Sequence, residues 1–169
     1  MTLNGRKPSY VYVASSWRNR LQAAIVGALQ AAGRDAGFEV YDFRNPRAGN
    51  NGFRWTSIDP NWMEWTPAQW RDALRTSIAD EGFALDKGAM DRADCCVLVL
   101  PCGRSAHLEA GYMAGQGKPV YTVAFDKTEP ELMVKLLGPP SNICTTMDEL
   151  FDCLGVPISD WIAHEKGLA

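Results

Sequence analysis

The residues of this sequence that could do chemistry are arranged around one glutamate, Glu109. An apolar run over residues 94–100 ends in Pro-Cys-Gly, and a helical pattern that carries Glu109 in its first turns follows. Between them lie Gly103, Arg104 and Ser105, where free N–H groups of a helix start favour an anion. Ligands of open α/β sheets bind beyond the carboxyl ends of the strands, so we expect Glu109 to face a pocket, where a carboxylate can act as a nucleophile.

Further candidate residues lie in the first predicted strand, residues 9–15, in the turn that follows it, and on a predicted helix before the apolar run. Tyr12 lies within that strand, and Asp86 lies ahead of the run on a predicted helix. The residues at the end of the first strand that could bind a ligand are Ser15, Ser16, Trp17 and Arg18. Polar groups on neighbouring strand ends converge on one edge of a parallel sheet, which strengthens the prediction of a site there.

Each of these residues also has a purely structural interpretation. Glu109 could be a surface glutamate that the helix macrodipole stabilises, and Asp86 could be a solvated helix aspartate. Tyr12 could be a core aromatic of its strand, and Trp17 a packing residue at a helix start. Arg18, like Arg104, could be an exposed arginine at a helix end. The sequence leaves these alternatives open.

Length and composition favour one domain over residues 1–169, with residues 156–169 as a C-terminal tail. The chain has 169 residues, 46% of them hydrophobic, which is typical of a globule with a proper core. Its net charge is -3 and it has no basic block or basic amphipathic helix, which argues against a nucleic-acid polymer or a membrane surface as partner. A small molecule is the expected ligand.

The N-terminus lacks the apolar stretch of a signal peptide, and no apolar run exceeds strand length, so we expect a cytoplasmic protein. Five cysteines, two of them adjacent at Cys95 and Cys96, indicate reduced thiols rather than disulfides. With only two histidines, we expect no metal site, and no cofactor is indicated.

Hydrophobic periodicity predicts alternating strands and helices. The predicted strands are residues 9–15, 38–43, 94–100, 119–125 and 142–145, and the predicted helices are residues 16–36, 67–80, 85–93, 105–117, 129–137 and 146–154. A further short helix could occupy the tail. This alternation predicts an α/β fold in which a doubly wound, parallel, five-stranded sheet carries helices on both faces.

One irregular segment, residues 53–65, is dense in aromatic residues. It contains Phe53, Trp55, Trp62 and Trp65 but shows neither a strand nor a helix period. Such a segment on a monomer surface would leave a large apolar patch. We therefore expect it to form a lid or a subunit contact.

Two stretches of the chain resemble a known family. The first is Val11-Tyr-Val-Ala-Ser-Ser-Trp17, and the second covers residues 103–120 and contains Glu-Ala-Gly-Tyr followed by Gly-Lys-Pro-Val. Both stretches are similar to nucleoside 2-deoxyribosyltransferases and related nucleotide N-glycosidases. The resemblance spans roughly residues 9–155. It implies a flavodoxin-like sheet of strand order 2-1-3-4-5, in a homodimer or higher homo-oligomer that acts on a nucleoside or nucleotide.

The resemblance also implies roles for individual residues. Glu109 matches the glutamate that attacks the anomeric carbon, and Tyr12 matches the tyrosine that holds this nucleophile. Trp17 matches an aromatic residue near the base. Asp86 resembles an aspartate near the leaving base, where a protonated carboxyl could supply a proton.

Two departures from the transferase pattern favour hydrolysis. Gly103 stands where transferases carry an aspartate, and Met133 or Val134 stands where a neighbouring subunit would supply an asparagine. The Gly-Arg-Ser-Ala-His-x-Glu variant is closer to relatives that hydrolyse nucleoside 5′-monophosphates. The residues that could then bind the phosphate are Ser15, Ser16, Arg18, Arg104 and Ser105.

Three other functions remain open at this point. The protein could exchange bases as a 2-deoxyribosyltransferase, or bind a nucleotide as a sensor without turnover. Thiol chemistry is the third, because Cys102 lies between a strand end and a helix N-terminus, where a thiolate would be stabilised. The sequence places no second cysteine or base beside it.

Overall fold

A computed structural model describes residue 3 and residues 6–156 of the chain, and these contain one parallel sheet. Its strands are Tyr10–Ala14 (β1), Glu39–Asp42 (β2), Cys95–Val99 (β3), Val120–Val123 (β4) and Ile143–Cys144 (β5). The strand order β2-β1-β3-β4-β5 confirms the predicted flavodoxin-like order. The predicted helix of the tail lies outside the described residues.

The described residues contain five α-helices. They are Gln22–Ala36 (α1), Pro67–Ala73 (α2), Ser77–Arg92 (α3), Arg104–Gly115 (α4) and Met147–Leu154 (α5). Four of them, α1, α3, α4 and α5, cover the two faces of the sheet, as the alternation predicted. Val11 and Val13 pack with α1 and α5 in one core cluster. Tyr12 and Ala14 pack with α3 and α4 in the other. Because successive residues of a strand point to opposite faces, β1 contributes to both cores.

The first helix begins later than predicted, at Gln22 rather than Ser16. The side-chain amide of Asn19 donates to the carbonyls of Val99, at 3.1 Å, and Pro101, at 3.0 Å, and its oxygen accepts from the Leu21 amide at 2.7 Å. These bonds hold the loop across the end of β3. A polar side chain that satisfies backbone groups in this way competes with helix formation.

The helices between the aromatic segment and β3 divide differently from the prediction. Residues 67–80 do not form one helix, because α2 ends at Ala73 and Thr76 caps a new helix by accepting from the Ala79 amide at 3.3 Å. From there α3 continues unbroken to Arg92 and includes the separate helix predicted over residues 85–93.

The α-helix predicted over residues 129–137 is wrong. This stretch contains a short 3-10 turn, Leu132–Leu136. Leu132, Met133 and Leu136 are all exposed, at 75%, 61% and 71%. A short helix is stable in a protein mainly through an apolar face that packs on a core, and this stretch buries none of these side chains.

Within the described residues, no helix is long and apolar enough to cross a membrane. All five cysteines are free thiols. Cys95 and Cys96 are fully buried on opposite faces of β3, in the two separate core clusters.

Candidate active site

Two carboxylates lie at the same end of the sheet, each bonded to a tyrosine hydroxyl. The Tyr12 hydroxyl donates to Glu109 Oε2 at 3.1 Å, and the Tyr41 hydroxyl donates to Asp86 Oδ1 at 2.7 Å. The two tyrosine rings are stacked, with centroids 5.2 Å apart and planes 14° from parallel. The four side chains therefore form one packed unit.

The sheet register explains why these groups meet. Tyr12 on β1 and Tyr41 on β2 are paired neighbours, so their rings project side by side on the same face. That face is the one covered by α3, which carries Asp86, and by α4, which carries Glu109. Tyr41 was not among the predicted site residues, because its place beside Tyr12 depends on the strand register.

Burial makes both carboxyls harder to ionise. Burial and, to a lesser extent, the nearby charge of Asp86 raise the pKa of Glu109 from the ordinary 4.5 to about 7, although the Tyr12 hydrogen bond lowers it. Burial also raises the pKa of Asp86, and the Tyr41 hydrogen bond opposes this effect. Near neutral pH the two carboxyls can therefore share a single proton, which either of them can hold.

The tyrosines remain hydrogen-bond donors at any ordinary pH. Burial raises the pKa of Tyr12 well above its usual range, and the charge of Glu109 adds to that effect. Burial and the bond to Asp86 raise the pKa of Tyr41 in the same direction. Each carboxylate thus has an uncharged partner that orients it.

Both carboxylates line a cavity of about 530 Å³, a size typical of small-molecule sites. All seven residues expected to bind a ligand also line it: Ser15, Ser16, Trp17, Arg18, Gly103, Arg104 and Ser105. Tyr12 itself is fully buried and reaches the site through Glu109. The structure thus brings every predicted site residue to one place.

The start of α4 is suited to an anion. Gly103 is the N-cap residue, and its lack of a side chain leaves the first turn without a side-chain cap. Gly103, Arg104 and Ser105, which form this helix start, all line the cavity. Together they resemble the anion-binding ends of helices in other α/β proteins.

Aromatic rings form another part of the lining. Phe43, Phe53 and Trp62 border the cavity, and the last two belong to the irregular segment 53–65. The Trp17 indole N–H donates to the Phe53 carbonyl at 3.2 Å and ties that segment to the loop after β1. The segment therefore borders the cavity, and its two predicted roles, a lid or a subunit contact, both stay predictions.

The irregular segment is held together by its own side chains. Phe53 and Trp55 meet edge to face at 4.8 Å, and Trp55 meets Trp65 at 5.6 Å. The Trp65 indole N–H also donates to Asp59 at 2.6 Å. Aromatic pairs of this kind contribute about 0.5–1.5 kcal/mol each beyond the area they bury.

Arg44 organises the loop after β1 and was missed in the sequence. Its Nη2 donates to the carbonyls of Ser16, at 2.8 Å, Trp17, at 3.3 Å, and Asn19, at 2.9 Å. These partners are remote in sequence, and a loop arginine carries no pattern that would identify them. Arg44 thereby fixes the backbone that presents two of the cavity residues.

The thiol hypothesis does not fit the surroundings of Cys102. Burial, together with the Glu109 charge, raises the pKa of this thiol to about 11, so the expected stabilised thiolate is wrong. His107 Nδ1 does lie 3.5 Å from the sulfur, although the sequence suggested no nearby base, but the same nitrogen is also 3.1 Å from the Gly103 carbonyl. Cys102 is not among the residues that line the cavity.

Among the residues that the structure describes, no cluster of three or more histidine, cysteine, aspartate or glutamate side chains could hold a metal ion. The polar groups of the cavity are carboxylates, guanidinium groups, hydroxyls and backbone N–H groups. Such a set can bind an organic anion and move protons.

Comparisons with known proteins found similarity to solved structures. No protein-family model matches the chain, and no curated protein does. Among solved structures, the chain is similar to a 2-deoxyribosyltransferase from the psychrotolerant bacterium Bacillus psychrosaccharolyticus. The two share 20% identity with a TM-score of 0.49, over 74% of this chain and 79% of that chain.

Proposed function

We propose that this protein is an enzyme that cleaves the N-glycosidic bond of a nucleoside or nucleoside 5′-monophosphate, mainly by hydrolysis. The observation that carries the proposal is the pair of tyrosine-bound carboxylates, Glu109 and Asp86, in one cavity of suitable size. Glycosidic cleavage needs two carboxyl groups with different protonation states, one as nucleophile and one as proton donor.

In the first step, ionised Glu109 attacks C1′ of the sugar. A bond forms between C1′ and a Glu109 oxygen, and the bond from C1′ to the base nitrogen breaks. The electron pair of that bond stays on the base, which takes a proton from Asp86. Tyr12 fits this step because its hydroxyl fixes one Glu109 oxygen and leaves the other for attack.

In the second step, water replaces the enzyme at C1′. Asp86, now ionised, accepts a proton from the water as its oxygen bonds to C1′, and the bond from C1′ to Glu109 breaks. The sugar leaves with a hydroxyl group, Asp86 is protonated again, and Glu109 returns to its carboxylate. Tyr41 supports both states of Asp86, since its hydroxyl can donate to either one.

Several groups of the cavity support a 5′-phosphate on the substrate. The candidates are the side chains of Ser15, Ser16, Arg18, Arg104 and Ser105, together with the N–H groups at the start of α4. Hydrogen bonds from charged donors to phosphate are stronger than those between neutral groups. We therefore expect monophosphates to react faster than the corresponding nucleosides.

Two positions that the resemblance links to binding of an acceptor base lack a polar side chain here. Gly103 presents no side chain to the cavity, and Met133 lies exposed in the 3-10 turn after β4. Without polar side chains at these two positions to hold an acceptor in place, the glycosyl-enzyme should react with water. This reasoning favours hydrolysis over base exchange.

A substrate panel tests the proposal directly. Purified protein is incubated with nucleosides and 5′-monophosphates, and released free base is measured by chromatography. Glu109→Ala should abolish base release while circular dichroism shows an intact fold, and Glu131→Ala, which changes an exposed glutamate of the turn after β4, serves as matched control. Turnover in folded Glu109→Ala protein would refute the nucleophile.

A second base distinguishes the remaining functions. With one nucleotide and an excess of a different free base, free sugar phosphate should be the main product. An exchanged nucleotide as main product would establish a transferase instead. Nucleotide binding without any product would identify a sensor, and equal rates on nucleoside and monophosphate would refute the phosphate assignment alone.

A further inference from the structure

A second cavity, of about 500 Å³, adjoins the first and shares Trp17 with it. Its lining contains no acidic side chain. The residues beside Trp17 are Arg44, Asn45, Asn51, Gly52, Arg54 and Ser57. Hydrogen-bond donors and positive charge therefore dominate this cavity, although the chain as a whole carries a net charge of -3.

Both arginines of this second cavity lie against Trp17. The Arg54 Cζ is 3.8 Å from the ring centroid, and the Arg44 Cζ is 5.6 Å from it. The Arg54 guanidinium, stacked on this ring, keeps its in-plane N–H donors free for a ligand, whereas Arg44 contributes mainly its positive charge. Stacking also limits the freedom of the side chain, so less entropy is lost when an anion binds.

The charge of Arg54 is not balanced within the described part of the chain, where its guanidinium has no hydrogen bond or ion pair. Arg47, on the same loop, is by contrast bonded to Glu81 at 2.8 Å. Arg44 donates to three uncharged carbonyls, and its buried Nε has no partner among the described residues.

The nearby carboxylate of Asp42 is occupied by other donors. Its Oδ1 accepts from the Gln22 side chain at 2.9 Å and from the Arg44 backbone N–H at 3.0 Å, and its Oδ2 accepts from Asn45 at 3.0 Å. Asp42 thus orders the loop but forms no ion pair with the guanidinium groups of the cavity. Two cationic groups remain on one aromatic ring, a combination suited to a phosphate group.

We propose that this second cavity, with Arg54 and Arg44 on Trp17, binds a phosphate group. The phosphate could belong to a free inorganic anion. It could also be the distal phosphate of a nucleoside diphosphate whose nucleoside part occupies the first cavity. The second source rests on the proposed function, whereas the anion site itself does not.

Inorganic pyrophosphate is the probe for the site, with binding measured by calorimetry at low salt. Arg54→Gln should weaken binding about tenfold or more, since a charge-assisted hydrogen bond is lost. Arg47→Gln removes one arginine of the same loop outside the cavity and should leave the Kd unchanged. Because pyrophosphate needs no turnover, this result is independent of whether the enzyme cleaves nucleotides.

Two outcomes would overturn the proposed phosphate site. One is that no pyrophosphate binding can be measured, and the other is that Arg54→Gln leaves the binding of pyrophosphate unchanged. If the Arg104→Gln variant loses pyrophosphate binding and the Arg54→Gln variant keeps it, the anion lies in the first cavity and the proposal is likewise overturned. The source follows from nucleotides in the Glu109→Ala background. If the phosphate is part of the substrate, Arg54→Gln should weaken the binding of a nucleoside diphosphate more than that of a monophosphate. If Arg54→Gln weakens only the binding of pyrophosphate, the free anion is the ligand.

Discussion

Replacing Glu109 by glutamine should stabilise the folded protein at alkaline pH, although the carboxylate is the proposed nucleophile. Burial and the charge of Asp86 hold the pKa of Glu109 at about 7 in the folded state, against an ordinary value of 4.5. The folded state therefore binds the proton more tightly than the unfolded chain does. Stability must fall as the pH rises from 4.5 to about 7, because ionisation is less favourable in the folded site.

The size of this effect follows from the two pKa values. Each tenfold difference in proton affinity corresponds to about 1.4 kcal/mol. Ionisation of Glu109 therefore lowers the free energy of unfolding by about 3 kcal/mol at pH 8 and by less than about 1 kcal/mol at pH 5. Glutamine is nearly the same size, carries no charge and can still accept the Tyr12 hydrogen bond. Glu109→Gln should therefore raise the Tm by roughly 6–12 °C at pH 8 and by much less at pH 5.

Thermal unfolding followed by circular dichroism at both pH values measures this difference. Glu149→Gln is the matched control, because hydrogen bonds from Thr145 lower the pKa of Glu149 and its carboxylate stabilises the fold. That control should lower the Tm at neutral and alkaline pH. A Tm difference for Glu109→Gln that is the same at pH 5 and pH 8, or a loss of stability at pH 8, would refute the reasoning.

Two further predictions concern turnover. Base release should decrease as the pH rises through about 7, where the carboxyl pair loses its last proton and none is left for the leaving base. Tyr12→Phe should shift that decrease to higher pH, because the lost hydrogen bond favours the carboxylate; an unshifted pH profile would contradict this role of Tyr12. Asp86→Asn should slow substrates with poor leaving bases about 10²–10⁴-fold but activated ones far less, since only the former need a proton. Equal losses on both kinds of substrate would indicate that Asp86 binds the substrate instead.

The parts of the site that follow local sequence patterns could be predicted. The strand order and the shared carboxyl edge follow from the alternation and from the resemblance, and with them the meeting of Tyr12 with Glu109. The cavity-lining residues after β1 and at the start of α4 were identified for the same reason. Each of these depends on the position of a residue at the end of one element, which periodicity locates within a few residues.

The features that were missed depend on contacts between distant parts of the chain. Tyr41 meets Asp86 because β2 pairs with β1 in one particular register, which alternation alone does not determine. Arg44 acts through backbone carbonyls of residues 16–19, and any loop arginine looks the same in sequence. The predicted helix over residues 129–137 failed for the related reason that helical propensity without a buried face is weak.

The choice of tyrosines as partners for the two carboxylates has a chemical consequence. An arginine or lysine beside Glu109 or Asp86 would lower the pKa of the carboxyl and oppose the effect of burial. A tyrosine hydroxyl orients the carboxylate without adding charge, so burial still dominates and both pKa values stay raised. The positive charges of the cavity are instead carried by Arg18 and Arg104, which suits the proposed function, in which the site binds an anion and still keeps a proton on a carboxyl.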